Sequence, residues 1–219
     1  MPARIDPALI PPSPDLQFET GIWDAGLDYV AGVDEAGRGA LAGPVAAAAV
    51  MLNPRADSTQ DLLGVRDSKE MSPALRESWV SRIQELSLTF GVGFASAEEI
   101  DFLGIVPATR LAAQRALAKL TPPPLHLLLD YLFIPDLSLP QTSLIKGDAR
   151  SLSIAAASVL AKTSRDALML EIDQQYPGYG FASHKGYGTK NHRQSIADLG
   201  PTPMHRMTFA PMRHTEIQG

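Results

Sequence analysis

The sequence predicts an α/β fold whose last third is mostly helical. Short apolar runs suited to buried strands alternate with segments of helical period, and beyond about residue 150 long helical segments take over. At 219 residues and 23.5 kDa the chain is long enough for one domain with its own core. Its 45% hydrophobic and 20% charged residues exclude a wholly disordered polypeptide.

Five prolines fall in the first 14 residues (Pro2, Pro7, Pro11, Pro12, Pro14), so the chain up to residue 20 reads as an extended arm. The division expected is a Pro-rich arm over 1–27 and a single domain, with the C-terminal helical region, over 28–219. The arm lacks the apolar stretch and cleavage pattern of a secretion signal, which points to the cytoplasm. Tyr29–Val33 reads as a short buried strand stopped by Asp34-Glu35 and the turn Gly37-Arg38-Gly39. In Pro44–Leu52 four consecutive alanines favour helix, but the short length and the Asn53-Pro54 stop tip the reading to strand. Ser72-Pro73 supplies an N-cap and a first-turn proline, with Leu75, Trp79, Ile83 and Leu86 on one helical face. Phe90–Ala95 is strand-like, and Ser96 with Glu99 forms a capping box for a short helix. Leu111, Ala112 and Leu120 line a further helix halted by Pro122-Pro123-Pro124. Leu125–Leu129 and Thr142–Ile145 are strand-like. Residues 151–175 form an Ala-rich helix closed by Pro177-Gly178, and Thr189–Leu199 a last one stopped by Gly200.

Composition narrows the chemistry. There is no cysteine, which excludes thiol nucleophiles, disulfides, zinc–thiolate sites and iron–sulfur clusters. No apolar run approaches the ~18–20 residues of a membrane span. The net charge of −5 hides an asymmetry: residues 1–145 sum to −8, while 146–219 sum to +3 and hold four of the five histidines. A weakly basic C-terminal third could face a polyanion while acidic groups elsewhere hold a cation, although such splits also arise on plain solvated surfaces.

Asp34, Asp130 and Asp148 each follow an apolar strand-like run. In open α/β sheets ligands bind beyond the carboxyl ends of the strands. If the strands ending at Asp34 and Asp130 are parallel neighbours, their tips lie roughly 4.8 Å apart, and a cation would relieve the repulsion. Taken singly, each aspartate also fits a turn cap. Glu35 joins Asp34 in one site only if the strand ends or bulges there, because successive residues face opposite sides. Gly37 to Gly43 follows G-x-G-x-x-x-G with Pro44 after it, which fits neither a dinucleotide fingerprint nor a P-loop. Its bare backbone is approachable by a sugar or phosphate, though a plain glycine turn explains it equally. His184-Lys185-Gly186-Tyr187-Gly188-Thr189-Lys190 interleaves cations with one aromatic ring, as a surface tracking nucleic acid would, or an ordinary exposed loop. Asp67-Ser68-Lys69 could set a lysine on a phosphate or form a turn. The histidines have no metal-ligand spacing and read as surface residues.

Together these motifs resemble the ribonuclease HII (type 2 ribonuclease H) family. The resemblance rests on Val33-Asp34-Glu35-Ala36-Gly37-Arg38-Gly39 with Leu41-Ala42-Gly43-Pro44-Val45, Asp67-Ser68-Lys69 with Ser72-Pro73, and Lys146-Gly147-Asp148. It extends through Ile154–Ser158 with Ala161-Lys162 and Arg165-Asp166, Tyr176–Gly180, His184–Thr189 and His205-Arg206, in family order over roughly residues 28–210. It implies a ribonuclease H-like five-stranded mixed sheet flanked by helices, with a C-terminal helical extension, and makes Pro44–Leu52 a strand. It also implies a four-carboxylate site for Mg²⁺ or Mn²⁺ on Asp34, Glu35, Asp130 and Asp148, with Asp166 a rival for the fourth place that is read as structural. The implied reaction cuts the RNA strand of RNA–DNA hybrids, and single ribonucleotides in duplex DNA, leaving 3′-hydroxyl and 5′-phosphate ends. In it Gly37, Arg38 and Gly39 would read the 2′-hydroxyl, Tyr187 would stack on the neighbouring sugar, and Lys69 would hold a phosphate. The partners implied are hybrid and ribonucleotide-containing duplexes, with no membrane, and the chain is expected to be a monomer.

The sequence departs from the family at Tyr131, where glycine is usual, at Ala40, where proline is common, and at Gly104-Ile105-Val106-Pro107 in place of an Asn-containing helix start. Two other readings stand beside the nuclease. One is a catalytically silent hybrid-binding module. The other is a type 1 or type 3 enzyme of the same fold, the latter expected to need a substrate-binding domain for which residues 1–27 are too few.

Overall fold

The computed structural model describes residues 5–54, 61–62, 64–66, 68 and 71–212. Five strands form one mixed sheet: β1 Val30–Ala36, β2 Val45–Leu52, β3 Ser87–Ala95, β4 His126–Asp130 and β5 Gln141–Leu144, in spatial order β3-β2-β1-β4-β5. The pairs β1–β2 and β2–β3 are antiparallel, whereas β1–β4 and β4–β5 are parallel. Among the described residues seven helices surround it: α1 Gln17–Trp23, α2 Pro73–Leu86, α3 Ala97–Leu103, α4 Ile105–Leu117, α5 Leu152–Gln175, α6 Phe181–His184 and α7 Lys190–Leu199. The α/β class, the five-stranded mixed sheet and the helical C-terminal part are therefore present.

The alanine run is a strand. β2 lies between β1 and β3 and is buried along its whole length, and burial on both faces overrides alanine's helical propensity. The small side chains have a use. Ala47 and Ala49 meet Ala108, Ala112 and Ala116 of α4 on one face, while Ala48 meets Ala155 and Ala156 of α5 on the other. Helix α5 lies so close to β1 that a Cβ at Gly32 would overlap the Ser153 backbone. That approach brings the start of α5, and the turn preceding it, to the middle of the sheet.

Three expectations are corrected. β1 is not stopped by Asp34-Glu35: it pairs with β2 through Asp34↔Ala48, Glu35↔Ala47 and Ala36↔Ala46, and Tyr29 lies outside it. The arm is not extended throughout, because α1 packs Phe18, Ile22 and Trp23 against Val30, Leu128, Leu144 and Ile154. Glu19 of α1 is fully buried, where its Oε1 accepts from Ser151 Oγ (2.6 Å), Ser153 Oγ (2.6 Å) and Ser153 N–H (2.9 Å). In α2 the buried face carries Arg76 and Ile83, and Leu75 is exposed. The Ser72 and Ser96 caps, the Ser96–Glu99 capping box and the Gly200 stop are as the sequence predicts.

Candidate active site

Strand register brings the first two acids together. β1 and β4 run parallel with Val33 opposite Leu129, so Asp34 and Asp130 come next on neighbouring strand ends. Val30 and Leu128 share a cluster with Ile154, which puts the even-numbered residues of both strands on the α5 face. After β5, a left-handed Lys146 (φ 53°) opens the 3₁₀ turn Gly147–Ala149, which delivers Asp148 to the same spot. The Gly147 N–H donates to Asp130 Oδ1 at 2.7 Å and fixes the turn against the strand end.

One oxygen from each of Asp34, Asp130 and Asp148 lies within 4.8 Å of the others. Asp34 and Asp148 are buried and Asp130 is half-buried. Burial, and then the charges of Glu35, Asp130 and Asp148, push the Asp34 carboxyl well above the ordinary aspartate range, against a 2.7 Å hydrogen bond from the Glu35 N–H. Crowded carboxylates with little water need a compensating positive charge. An all-oxygen anionic donor set suits a hard divalent cation such as Mg²⁺ or Mn²⁺, so these residues fit that cofactor.

Glu35 stands outside the three-acid group. It lines the same cleft, with Oε1 accepting from Arg38 Nη1 at 3.0 Å. Asp166 also stands outside, ion-paired to Lys162 (2.7 Å) and Arg76 (3.4 Å). Tyr131 adopts φ 47°, a left-handed conformation that glycine enters without strain. Lys69 and Asp67 lie outside the described residues. Ser68 between them is buried and bonded to Ser158 Oγ at 2.7 Å.

The cleft of about 530 Å³ beside the acids is lined by Gly37, Arg38 and Gly39, together with Arg76, Lys162 and Tyr187. Two buried arginines hold the glycine loop from behind. Arg206 donates to the carbonyls of Gly37 (2.8 Å), Arg38 (2.8 Å) and Gly43 (3.0 and 2.9 Å). Arg165 donates to those of Pro44 (2.8 Å), Ala42 (3.1 Å) and Lys185 (3.0 Å), and so ties the glycine loop to the basic aromatic loop. The two loops also bond directly, Leu41 N–H to the Gly186 carbonyl at 2.8 Å. A Cβ at Gly186 would overlap the Ala42 carbonyl, so this crossing requires glycine. Tyr187 is 37% exposed, with Lys162 Nζ at 5.6 Å and Arg165 Cζ at 5.5 Å from its ring centre.

Sequence reasoning assigned no role to Arg76, Lys162, Arg165 or Arg206, and it misplaced the histidines. His192 and His205 are not surface residues: both are fully buried, with Nε2 atoms 3.1 Å apart. The available signal was faint: His192 and Ile196, four residues apart, share the buried face of α7.

A family model described as Ribonuclease HII matches residues 31–212. Ribonuclease HII of Synechococcus sp. (strain JA-3-3Ab) is 53% identical over 91% of this chain and 90% of its own length. That of Chloroflexus aurantiacus is 51% identical over 91% and 94%. Among solved structures, ribonuclease H2 from Pyrococcus horikoshii OT3 superposes with a TM-score of 0.68 at 25% identity, covering 85% of this chain and 96% of that one. A Bst ribonuclease HIII in complex with Mn²⁺ shares the fold with a TM-score of 0.63 at 18% identity, covering 84% and 68%.

Proposed function

The chain belongs to the ribonuclease HII family and is a metal-dependent endoribonuclease, and from that premise we propose that it hydrolyses the RNA strand of RNA–DNA hybrids and also cuts at ribonucleotides embedded in duplex DNA. The observation that carries the reading is the meeting of Asp34, Asp130 and Asp148 within 4.8 Å beside a glycine loop. Asp34, Asp130 and Asp148 would hold two divalent cations there, and those cations would supply activation of water and stabilisation of the leaving 3′-oxygen. The chain's own part is to supply carboxylate oxygens. Asp34, Asp130 and Asp148 do so directly; Glu35, although β1 runs unbroken through it, lines the same cleft with its Oε1 on Arg38 and is the fourth acid of this reading. Mg²⁺ and Mn²⁺ both suit these oxygens.

The glycine loop supplies selectivity. With the Gly37 and Arg38 carbonyls drawn back onto Arg206, the N–H groups of Gly37, Arg38 and Gly39 are what the loop offers a 2′-hydroxyl, the group that separates RNA from DNA. Tyr187 stacks on the neighbouring sugar and Lys69 holds a phosphate. The products are a 3′-hydroxyl and a 5′-phosphate. No helix of the described residues is long and apolar enough to cross a membrane, and the reading includes a monomer working in the cytoplasm.

The test is Asp34→Asn assayed with Mg²⁺ on a DNA duplex carrying one ribonucleotide, with the cleavage site mapped. Turnover falls by at least about a hundredfold if this carboxylate serves the reaction. Near-wild-type turnover removes the site. Retained binding without cutting by the unmodified chain supports the silent binding module instead.

A further inference from the structure

We propose that His205 and His192 are positioning residues that hold the Tyr187 loop through a one-way chain of hydrogen bonds, with both imidazoles neutral and in opposite tautomers. The chain has a fixed start. The backbone N–H of Thr202 donates to His205 Nδ1 at 2.9 Å, and an amide N–H cannot accept, so that nitrogen carries no proton. Thr202 Oγ1, which itself accepts from the Met204 N–H at 3.2 Å, reaches the same nitrogen at 2.9 Å. The proton of His205 therefore sits on Nε2. This atom lies 3.1 Å from His192 Nε2, where two N–H groups could not face each other, so His192 Nε2 accepts. The His192 proton then sits on Nδ1 and donates at 3.0 Å to the Tyr187 carbonyl, which the Thr189 N–H also meets at 2.8 Å.

His184 fits the same scheme. Its Nδ1 accepts the Gly186 N–H at 3.2 Å and its Nε2 faces the Tyr179 carbonyl at 2.8 Å, while its ring stacks on His192 at 4.3 Å. The loop is thus gripped at two successive residues, Gly186 and Tyr187. An added proton on either buried histidine would set one donor against another. Burial and the neighbouring imidazoles push both histidines below their ordinary range, His205 to about 4. The titratable and charged groups around the pair fit neutral rings. His184 faces His192, the Tyr179 ring lies 5.3 Å from His205 with its hydroxyl donating to the Gly200 carbonyl, and Arg206 spends its guanidinium on the carbonyls of the glycine loop. The proposal rests on the substrate role given above to Tyr187, and its test separates the two.

The full chain labelled with ¹⁵N-histidine reports the tautomers by long-range ¹H–¹⁵N correlation. Expected at pH 7 are a proton on Nδ1 of His192 and on Nε2 of His205, with His205 still neutral near pH 5.5, about one unit below the ordinary histidine pKa. A proton on Nε2 of His192, or a charged ring at pH 7, overturns the proposal. In cleavage of a duplex with one ribonucleotide, His205→Leu lowers kcat/KM about tenfold, while His205→Gln, whose amide can still donate to His192, stays within about threefold. In a Tyr187→Ala background the Leu and Gln variants become equal. A tenfold difference that persists there means the chain does not act through Tyr187, and the proposal fails. If the tautomers are as expected and Tyr187→Ala alone leaves cleavage unchanged, the stacking role of Tyr187 falls and the loop-holding chain stands. Should His205→Leu not fold, the wild-type spectrum decides.

Discussion

On the sheet side of the cleft, Asp34, Asp130 and Asp148 crowd three acidic groups within 4.8 Å at strand ends. On the C-terminal side, Arg165, Arg206, His192 and His205 are just as buried, yet every side-chain nitrogen of the two arginines donates to a carbonyl, and the two imidazoles bond to each other. One wall is a set of like charges that needs an added cation. The other has every side-chain nitrogen of its arginines paired, although burial and the neighbouring Arg165 charge lower the Arg206 pKa to about 9. On the function proposed above, the protein separates the chemistry from the alignment of what is to be cut, and removing a polar group should have opposite consequences on the two walls.

The largest effect expected from that contrast is at Asp130. Asp130→Asn lowers cleavage by about 10²–10³-fold and, in cation-free buffer, stabilises the fold by about 1 kcal/mol in urea titration because one repulsive charge is gone. Millimolar Mg²⁺ or Mn²⁺ raises the wild-type Tm and does so much less in this variant. A variant that loses stability as well as activity breaks the comparison. On the opposite wall, Arg206→Ala strands the carbonyls of Gly37, Arg38 and Gly43 and lowers stability by about 2 kcal/mol. Arg206→Lys recovers little, since an ammonium cannot fork to several acceptors.

Acid sharpens the contrast further. His192 and His205 have folded-state pKa values below 6.5, that of His205 about 4. Unfolded histidines bind protons near pH 6.5 while the folded ones do not. Their contribution is therefore full above that pH and is lost as pH falls toward 4, by at most about 1.4 kcal/mol per pH unit for each ring. Urea titrations at pH 7 and 5 should show this loss, reduced by one proton's worth in His205→Gln. The smallest effect belongs to Tyr131, exposed and left-handed after Asp130. Tyr131→Gly relieves the backbone and raises Tm slightly, by about 1 kcal/mol of stability at most, with cleavage unchanged.

The two walls were also unequally legible in the sequence. Asp34, Asp130 and Asp148 could be found because an apolar run followed by an acid is a local pattern, and parallel pairing does the rest. Capping residues such as Ser72, Ser96 and Gly200 are local too. What could not be read is what depends on distant partners. For β2 the length and the Asn53-Pro54 stop pointed to a strand, but the burial on both faces that overrides four alanines comes from strands and helices on all sides. The Arg206 grip on Gly37 spans 169 residues, and His192 looks like a surface histidine until His205 and Tyr187 are beside it. Helix α1 was hidden by the prolines ahead of it, since its own apolar residues find their partners on β1, β4 and α5.

Glu19 has a consequence for how the protein is made. Its carboxylate finds Ser151 and Ser153 only 132 and 134 residues further along, next to the turn bearing Asp148, and β1 meets β4 only after the crossover through β2 and β3. A ribosome-bound chain that has emerged through β3 thus holds Asp34 and the glycine loop but neither Asp130 nor Asp148. If the proposed site is the working one, such a half-made nuclease has no assembled centre with which to attack the nucleic acid around it until more than two-thirds of its length has left the exit tunnel.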